Sequence, residues 1–322
     1  MRVLVTGVAG FIGYHVAQAL LARGAEVVGV DELNAYYDVR LKQARLARLG
    51  EGFTFHQLDI ADHAAVLRLG DGVEAGVHVA AQAGGRYSLD NPFAYVTSNL
   101  TGHLSILELV RHTKSIRHLV YASSSSVYGT GSTLPYAESE RADRPSSLYA
   151  ATKRADELMS ASYAHLFGLK QTGLRFFTVY GPWGRPDMAY FGFAEAICAG
   201  QPLTLYENGT LKRDFTYIDD IIAGVLGVLD FPPGDEAPHR VFNIGNNQAE
   251  YVRDLVRLLE QGLGREAVVS IRPKPEADPV ETCADISALN ALCGYVPATK
   301  LAEGIPRFVD WYIDWRRMRE RL

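Results

Sequence analysis

A chain of 322 residues with 48% hydrophobic and 21% charged side chains has the composition of a folded protein of about two domains, not of a disordered one. A formal charge of −5 without a long basic stretch argues against a nucleic-acid partner. No apolar run reaches the length of a membrane span, and the three scattered cysteines and nine scattered histidines suggest neither a disulfide framework nor a metal site, so a soluble cytoplasmic protein is expected.

Val3-Leu4-Val5 reads as a buried strand, and Thr6-Gly7 ends it too soon for a secretory signal core. Gly7-Val8-Ala9-Gly10-Phe11-Ile12-Gly13 then opens a helix with Phe11, Ile12, Val16, Leu20 and Leu21 on one side, stopping near Gly24. Glycines at this place let the backbone turn tightly and approach a pyrophosphate at the positive end of the helix. Val27 to Val30 form the next strand, closed by Asp31. A carboxylate there accepts hydrogen bonds from both adenosine ribose hydroxyls and repels a 2′-phosphate, so NAD rather than NADP is the expected cofactor.

Further strands are expected at Phe53–Ile60, Val77–Ala81, His118–Ser123 and Gln171–Phe176, with helices at Pro92–His112 and Tyr149–Phe167 between them. Alternating strands and helices imply an α/β fold with a doubly wound parallel sheet of the Rossmann type. Asp59 and Ile60, ending the third strand, are placed to hold an adenine edge. Ala80 and Ala81 end the fourth with small side chains where a cofactor would pass, or where elements simply pack closely. Tyr121-Ala122-Ser123-Ser124-Ser125-Ser126-Val127-Tyr128-Gly129 leaves another strand end. Its hydroxyls are either substrate contacts or a plain serine-rich turn; no Gly-x-Ser-x-Gly elbow supports acyl chemistry. Tyr149 and Lys153, four apart, share one helix face. An ammonium beside a phenol favours its ionised form, giving a base for a substrate alcohol, and the glycine signature upstream favours that reading over an exposed helix pair.

After Gly181-Pro182 the texture shifts to short elements rich in proline and glycine, among them Pro186, Gly200, Pro202 and Gly209. A helix at Asp219–Leu229, a strand at Val241–Ile244 and helices at Val252–Leu263, Ile286–Leu292 and Leu301–Trp315 follow. The charged run from Arg316 to Arg321 reads as the solvated part of the last helix. The expected division is a dinucleotide-binding domain over 1–180, with 216–245 returning to it, and a smaller substrate-binding lobe over 181–215 and 246–322. That lobe closes over the carboxyl edge of the sheet.

With these motifs the chain resembles the extended short-chain dehydrogenase/reductase family, in particular its nucleotide-sugar epimerases, from Met1 to about Tyr312. The matching features are the cofactor glycines, the serine run, Tyr149-Ala150-Ala151-Thr152-Lys153, Asn99, Arg213-Asp214-Phe215-Thr216-Tyr217-Ile218-Asp219-Asp220 and Asn243-Ile244-Gly245. The resemblance implies that Tyr149 is the base and that Lys153 tunes it and holds the nicotinamide ribose. Ser124, Ser125 and Ser126 join the catalytic set, with Ser124 and Ser126 lining O4 of a hexose. Cofactor contacts are implied for Gly7, Gly10, Phe11, Ile12, Gly13, Asp31, Asn34, Asp59, Ile60, Ala80, Ala81, Gln82, Asn99 and Phe176. Arg213 would meet a nucleotide phosphate, and Arg86, Tyr87, Ser88, Thr178, Arg185, Tyr206 and Asp278 complete the substrate set. The helices at Pro92–His112 and Tyr149–Phe167 resemble those that pair in homodimers of the family.

Two segments narrow the substrate. Sugar dehydratases and decarboxylases of the family carry acidic residues after the first serine or threonine of the run, whereas Ser125 and Ser126 stand here, which favours epimerisation. The segment from Arg175 to Ala189, with Asn34-Ala35-Tyr36-Tyr37-Asp38 and Leu41-Lys42, is similar to the UDP-glucuronate 4-epimerase subgroup. Arg185 offers a planar fork suited to a carboxylate, and with Thr178 it would hold C6 of a 4-keto uronate so that CO₂ is not lost. Gly85, Glu32 and Pro279 depart from the subgroup pattern. Pro275 stands where neutral-sugar relatives have a phosphate-binding arginine, leaving Arg272 or Lys274 to substitute. A UDP-glucose 4-epimerase would share every group except the use of Arg185; a non-catalytic NAD sensor would not need the intact Tyr149 and Lys153.

Overall fold

The computed structural model describes residues 1–275 and 278–319; the rest of the expected lobe, including positions 320 and 321 of the terminal charged run, lies outside the described residues. Seven parallel strands form the central sheet: β1 (Arg2–Thr6), β2 (Glu26–Asp31), β3 (Phe53–Gln57), β4 (Ala75–His78), β5 (Leu119–Ser124), β6 (Gln171–Phe176) and, at the far edge, β10 (His239–Ile244). Their order is β10-β6-β5-β4-β1-β2-β3. The order reverses at β1, and a crevice opens there beyond the carboxyl ends of the strands.

Successive residues of a strand face opposite sides, and the sequence supplies apolar groups for both. Val3 and Val5 enter one core cluster with Val16 and Leu20 of the helix Phe11–Ala22 and Ile221 and Val225 of the helix Ile218–Asp230. Leu4 faces the other cluster, with Ile106 and Leu109 of the helix Gly102–His112. Each fully buried aliphatic side chain contributes roughly 1.5–3 kcal/mol.

β4 ends at His78 instead of reaching Ala81, because its neighbour β1 pairs only as far as Thr6 before turning at Gly7. The expected helix Pro92–His112 is broken: Pro92–Tyr95 is α-helical, Val96–Thr101 is a π-helical turn, and Gly102–His112 resumes the α-helix. A helix at Val39–Leu46, started by Asp38 accepting from the Arg40 amide, was not foreseen. Nor was the helix Ala189–Ala199, which buries Tyr190, Phe191, Ala194 and Ile197 on one face.

The remaining strands make two small sheets. In one, β9 (Lys212–Tyr217) lies between β7 (Thr178–Tyr180) and β11 (Ala249–Tyr251); in the other, β8 (Pro202–Tyr206) pairs with β12 (Val268–Arg272). The helix Leu301–Arg319 packs Phe308, Trp311 and Tyr312 around Phe191. Among the described residues no helix is long and apolar enough to cross a membrane.

Candidate functional site

A cavity of about 380 Å³ lies at the switch point, and its lining is drawn from nearly every strand end of the main sheet. Its floor is the first βα turn. Gly7 has φ +69°, and a Cβ there would lie 2.8 Å from the amide nitrogen of Ala80. A Cβ on Gly13 would stand 2.1 Å from the carbonyl oxygen of Gly7, and one on Gly10 would stand 2.9 Å from the same atom. The turn is therefore bare backbone. Gly10 begins the helix Phe11–Ala22 without a side chain to cap it, leaving first-turn amides for an anion. This cradle fits a dinucleotide pyrophosphate.

Gly7, Gly10, Phe11, Ile12, Gly13, Asp31, Asn34, Asp59, Ile60, Ala80, Ala81, Gln82 and Phe176 all line the cavity. The Asp31 carboxylate, buried at the end of β2, accepts from the amides of Ala9 at 3.2 Å and Leu33 at 2.9 Å, and each oxygen keeps acceptor capacity for a ribose hydroxyl. Lys42 was not singled out as a site residue, yet it lines the cavity too. Its Nζ donates to Asn34 Oδ1 at 2.8 Å and lies 3.9 Å from Asp31, delivered by the unforeseen helix Val39–Leu46. Burial lowers the Lys42 pKa, and Asp31 and Glu32 oppose that shift. Asn34 in turn donates to Glu32, whose carboxyl burial pushes upward.

Asn99 stands one layer behind the lining. Its side chain accepts from the Gln82 amide at 2.8 Å and donates to the Gln82 carbonyl at 3.1 Å and to Thr152 Oγ1 at 2.9 Å. The π-helical turn thus ties the fourth strand end to the helix that carries Tyr149.

That helix, Leu148–Phe167, is capped by Ser147, whose Oγ accepts from the Ala150 amide at 3.1 Å. Tyr149 and Lys153 both line the cavity, as do Ser124 and Ser125. Ser126 points back and donates to Ser124 Oγ at 2.9 Å. Lys153 is buried; its Nζ donates to the Ala122 carbonyl at 3.0 Å and to Asp156 Oδ2 at 3.1 Å. An ammonium has three donors, so one remains. Burial raises Asp156 to about 6 despite the attraction of Lys153.

Thr178 and Arg185 line the opposite wall together with Met188 and Tyr36. Arg45 holds that wall in place. It is wholly buried and donates to the carbonyls of Ala9 (2.7 Å), Trp183 (3.1 and 2.7 Å) and Gly184 (2.9 Å) and to Tyr37 Oη (2.7 Å). One guanidinium thus fixes the glycine turn, the segment after β2 and the turn before Arg185.

The other substrate candidates gather outside this lining. Arg86 donates to Asp278 at 2.9 Å and lies over the Tyr206 ring at 5.1 Å, joining the segment after β4 to the region of β8 and β12. Arg213 donates to the Lys212 carbonyl at 2.8 Å; burial lowers its pKa, with Asp278 opposing. Lys274 Nζ donates to the carbonyls of Pro275 and Asp278, and Arg272 is exposed. Tyr87 packs on Tyr36 with ring centroids 4.9 Å apart, and Ser88 donates to the Gly85 carbonyl at 2.6 Å.

Residues 3–245 match the model of the NAD dependent epimerase/dehydratase family. The chain is 48% identical, over 99% of its length and 100% of the relative's, to an uncharacterized 37.6 kDa protein in the cld 5′ region of Escherichia coli O111:H-. It is 45% identical to a probable UDP-glucuronate 4-epimerase of Rhizobium meliloti (strain 1021), covering 97% of each chain. The fold superposes with a TM-score of 0.91, at 34% identity over 98% of this chain and 100% of the other, on a UDP-glucuronic acid 4-epimerase from Bacillus cereus in complex with UDP-glucuronic acid and NAD.

Proposed function

The chain belongs to the NAD dependent epimerase/dehydratase family, and we propose that it is a UDP-glucuronate 4-epimerase, interconverting UDP-glucuronate and UDP-galacturonate. One observation carries the uronate reading: the cavity that holds Tyr149 and Lys153 also holds Arg185, with Thr178 beside it.

NAD, when bound, would supply a hydride acceptor for C4 of the sugar and the donor for its return. Gly7, Gly10 and the first-turn amides would hold its pyrophosphate, Asp31 its adenosine ribose, and the remaining Lys153 donor its nicotinamide ribose. Tyr149 takes the proton from O4, and Ser124 and Ser125 hydrogen-bond that oxygen as its charge changes. Arg86, Tyr206, Arg213 and Asp278 grip the nucleotide end. The 4-keto sugar can then turn about its diphosphate tether and present its other face, after which Tyr149 returns the proton. Arg185 and Thr178 hold the carboxylate with the C5–C6 bond near the carbonyl plane, which disfavours loss of CO₂. No Asp or Glu belongs to the serine run that would serve as acid for dehydration.

These roles support a division into a cofactor domain over 1–180 with 216–245 and a substrate lobe made of the rest, and we place the protein, as part of the same proposal, in the cytoplasm. Leu89 (80% exposed), Phe93 (81%) and Leu166 (63%) leave apolar surface beside the helices Gly102–His112 and Leu148–Phe167, which supports a homodimer built on those helices. Light scattering on wild type and on Leu166→Asp tests it; a monomeric wild type would remove it.

Incubation of purified protein with UDP-glucuronate, without added NAD, tests the function. UDP-galacturonate with little CO₂ is expected. Turnover of UDP-glucose alone would identify a neutral-sugar epimerase, and inertness toward both after adding NAD would overturn the assignment.

A further inference from the structure

Arg185, the proposed carboxylate anchor, already has a carboxylate. Its Nε donates to Asp187 Oδ1 at 3.0 Å and its Nη2 to Asp187 Oδ2 at 2.7 Å, a two-pronged contact along the side edge of the guanidinium. Asp187 is itself held by the segment after β2, since Tyr36 Oη donates to Oδ2 at 3.3 Å. Tyr36 reaches that position past Gly84, where a Cβ would lie 2.7 Å from the Tyr36 hydroxyl oxygen. Tyr95 fixes this turn, its hydroxyl sharing one proton between the neighbouring carbonyls of Ala83 and Gly84. The carbonyls bonded by Arg45 fix the turn at the other end. Nη2 also points its other hydrogen at Met188 Sδ, 3.7 Å away and a weak acceptor that a carboxylate would displace, and among the described residues Nη1 of Arg185 makes no hydrogen bond.

A guanidinium has two edges able to take a carboxylate: the side edge of Nε and Nη2, and the end edge of Nη1 and Nη2. We propose that Asp187 is a positioning residue for substrate choice, clamping the side edge of Arg185 so that the end edge is presented, in one orientation, to the carboxylate of a sugar nucleotide. This rests on the epimerase assignment above. The pairing has two consequences. It compensates the Arg185 charge when no substrate is bound, so the cavity does not gather anions indiscriminately. It also removes the rotation by which a lone arginine would follow the carboxylate as the sugar turns.

Orientation matters for the outcome of the reaction. If C6 swings out of the carbonyl plane of the 4-keto sugar, the C5–C6 bond breaks, its electron pair moves toward the C4 carbonyl, CO₂ leaves and C5 takes a proton. The product is a UDP-4-ketopentose, and the two electrons removed from C4 stay on the nicotinamide. Asp187 therefore guards the partition between UDP-galacturonate and CO₂.

The test compares wild type with Asp187→Ala, Asp187→Asn and Asp187→Glu on UDP-glucuronate, reading kcat, KM and CO₂ per UDP-galacturonate formed. Loss of a positioning contact costs about tenfold or more in productive turnover. Asp187→Ala and Asp187→Asn are expected to lower kcat by that factor and raise the CO₂ ratio about tenfold; Asp187→Glu is expected to recover most of both. Thermal midpoints and bound NAD serve as folding controls. Wild-type kcat, KM and CO₂ ratio in the Ala and Asn variants would overturn the proposal, as would a loss of kcat tracking a lower thermal midpoint without a change in ratio. If wild type itself forms no UDP-galacturonate, the epimerase reading falls and this inference with it.

Discussion

Glu157, one turn beyond Lys153 on the same helix, receives both prongs of Arg175 from β6, Nε and Nη2 each at 2.8 Å from a carboxylate oxygen. Ser123 of β5 donates to the same carboxylate at 2.6 Å and Arg154 at 2.6 Å. Burial works against the charge of Glu157, and these donors outweigh it, holding the carboxyl below its usual range. The helix that carries Tyr149 is thereby bolted to two strands of the sheet from behind.

Glu157→Gln removes the charge and leaves Arg175 buried against an amide. Breaking one side of a buried ion pair costs about 3–5 kcal/mol. Urea unfolding is expected to show that loss; a midpoint within error of wild type would mean the pair contributes nothing.

Tyr149→Phe keeps the ring, and its edge contact with Tyr95 at 6.1 Å, but removes the proton acceptor. A fall in kcat of about 10²–10⁴ is expected, with unchanged bound NAD and thermal midpoint. Retention of normal turnover would exclude Tyr149 as the base.

Gly13→Ala places a Cβ 2.1 Å from the Gly7 carbonyl oxygen, where only a shift of the whole turn can relieve it. Purified variant is expected to carry much less NAD than wild type, measured by release on denaturation. A full complement of cofactor would show that the turn does not cradle it.

Burial holds His78 at about 3 and His118 at about 4, and His103 well below its usual value. Unfolded histidine titrates near ~6.5, so from about pH 4 to 6.5 the unfolded chain binds protons that the native state refuses, and stability rises with pH across that window. Asp156, raised by burial to about 6, acts the other way: its contribution is full below its unfolded value and is lost as pH rises through about 6. Burial also holds His15 and His239 at about 4. Five histidines thus stand against the carboxyls that burial raises, Glu32, Glu138, Asp156, Asp214 and Asp219, and Glu108 and Glu157, held low by their donors, add to the rise. Urea midpoints should therefore climb from about pH 4.5 to about pH 7; a flat or falling profile would contradict this.

The sheet was legible because runs such as Val3-Leu4-Val5 and Val27-Val28-Gly29-Val30 declare strands buried on both faces, and the glycine turn after the first declares their use. The helix Ala189–Ala199 was hidden by the surrounding glycines and prolines, although Tyr190, Phe191, Ala194 and Ile197 already followed a helical spacing. Arg185 was visible as a cation near a strand end. Asp187 was not singled out, since two residues apart in a loop is no helical or strand periodicity and its meaning comes from Tyr36, a residue distant in sequence. Lys42 and Arg45 escaped for a related reason: charged residues on a short helix normally face water, and only packing shows that these two face inward.

The central claim is that C4 loses its hydride to the cofactor and regains the same hydride on the opposite face. UDP-glucuronate carrying deuterium at C4, incubated with the purified protein in ordinary water and followed by NMR, tests it directly. The account predicts UDP-galacturonate with the deuterium still on C4. UDP-galacturonate with hydrogen from water at C4, or no UDP-galacturonate at all, would contradict it.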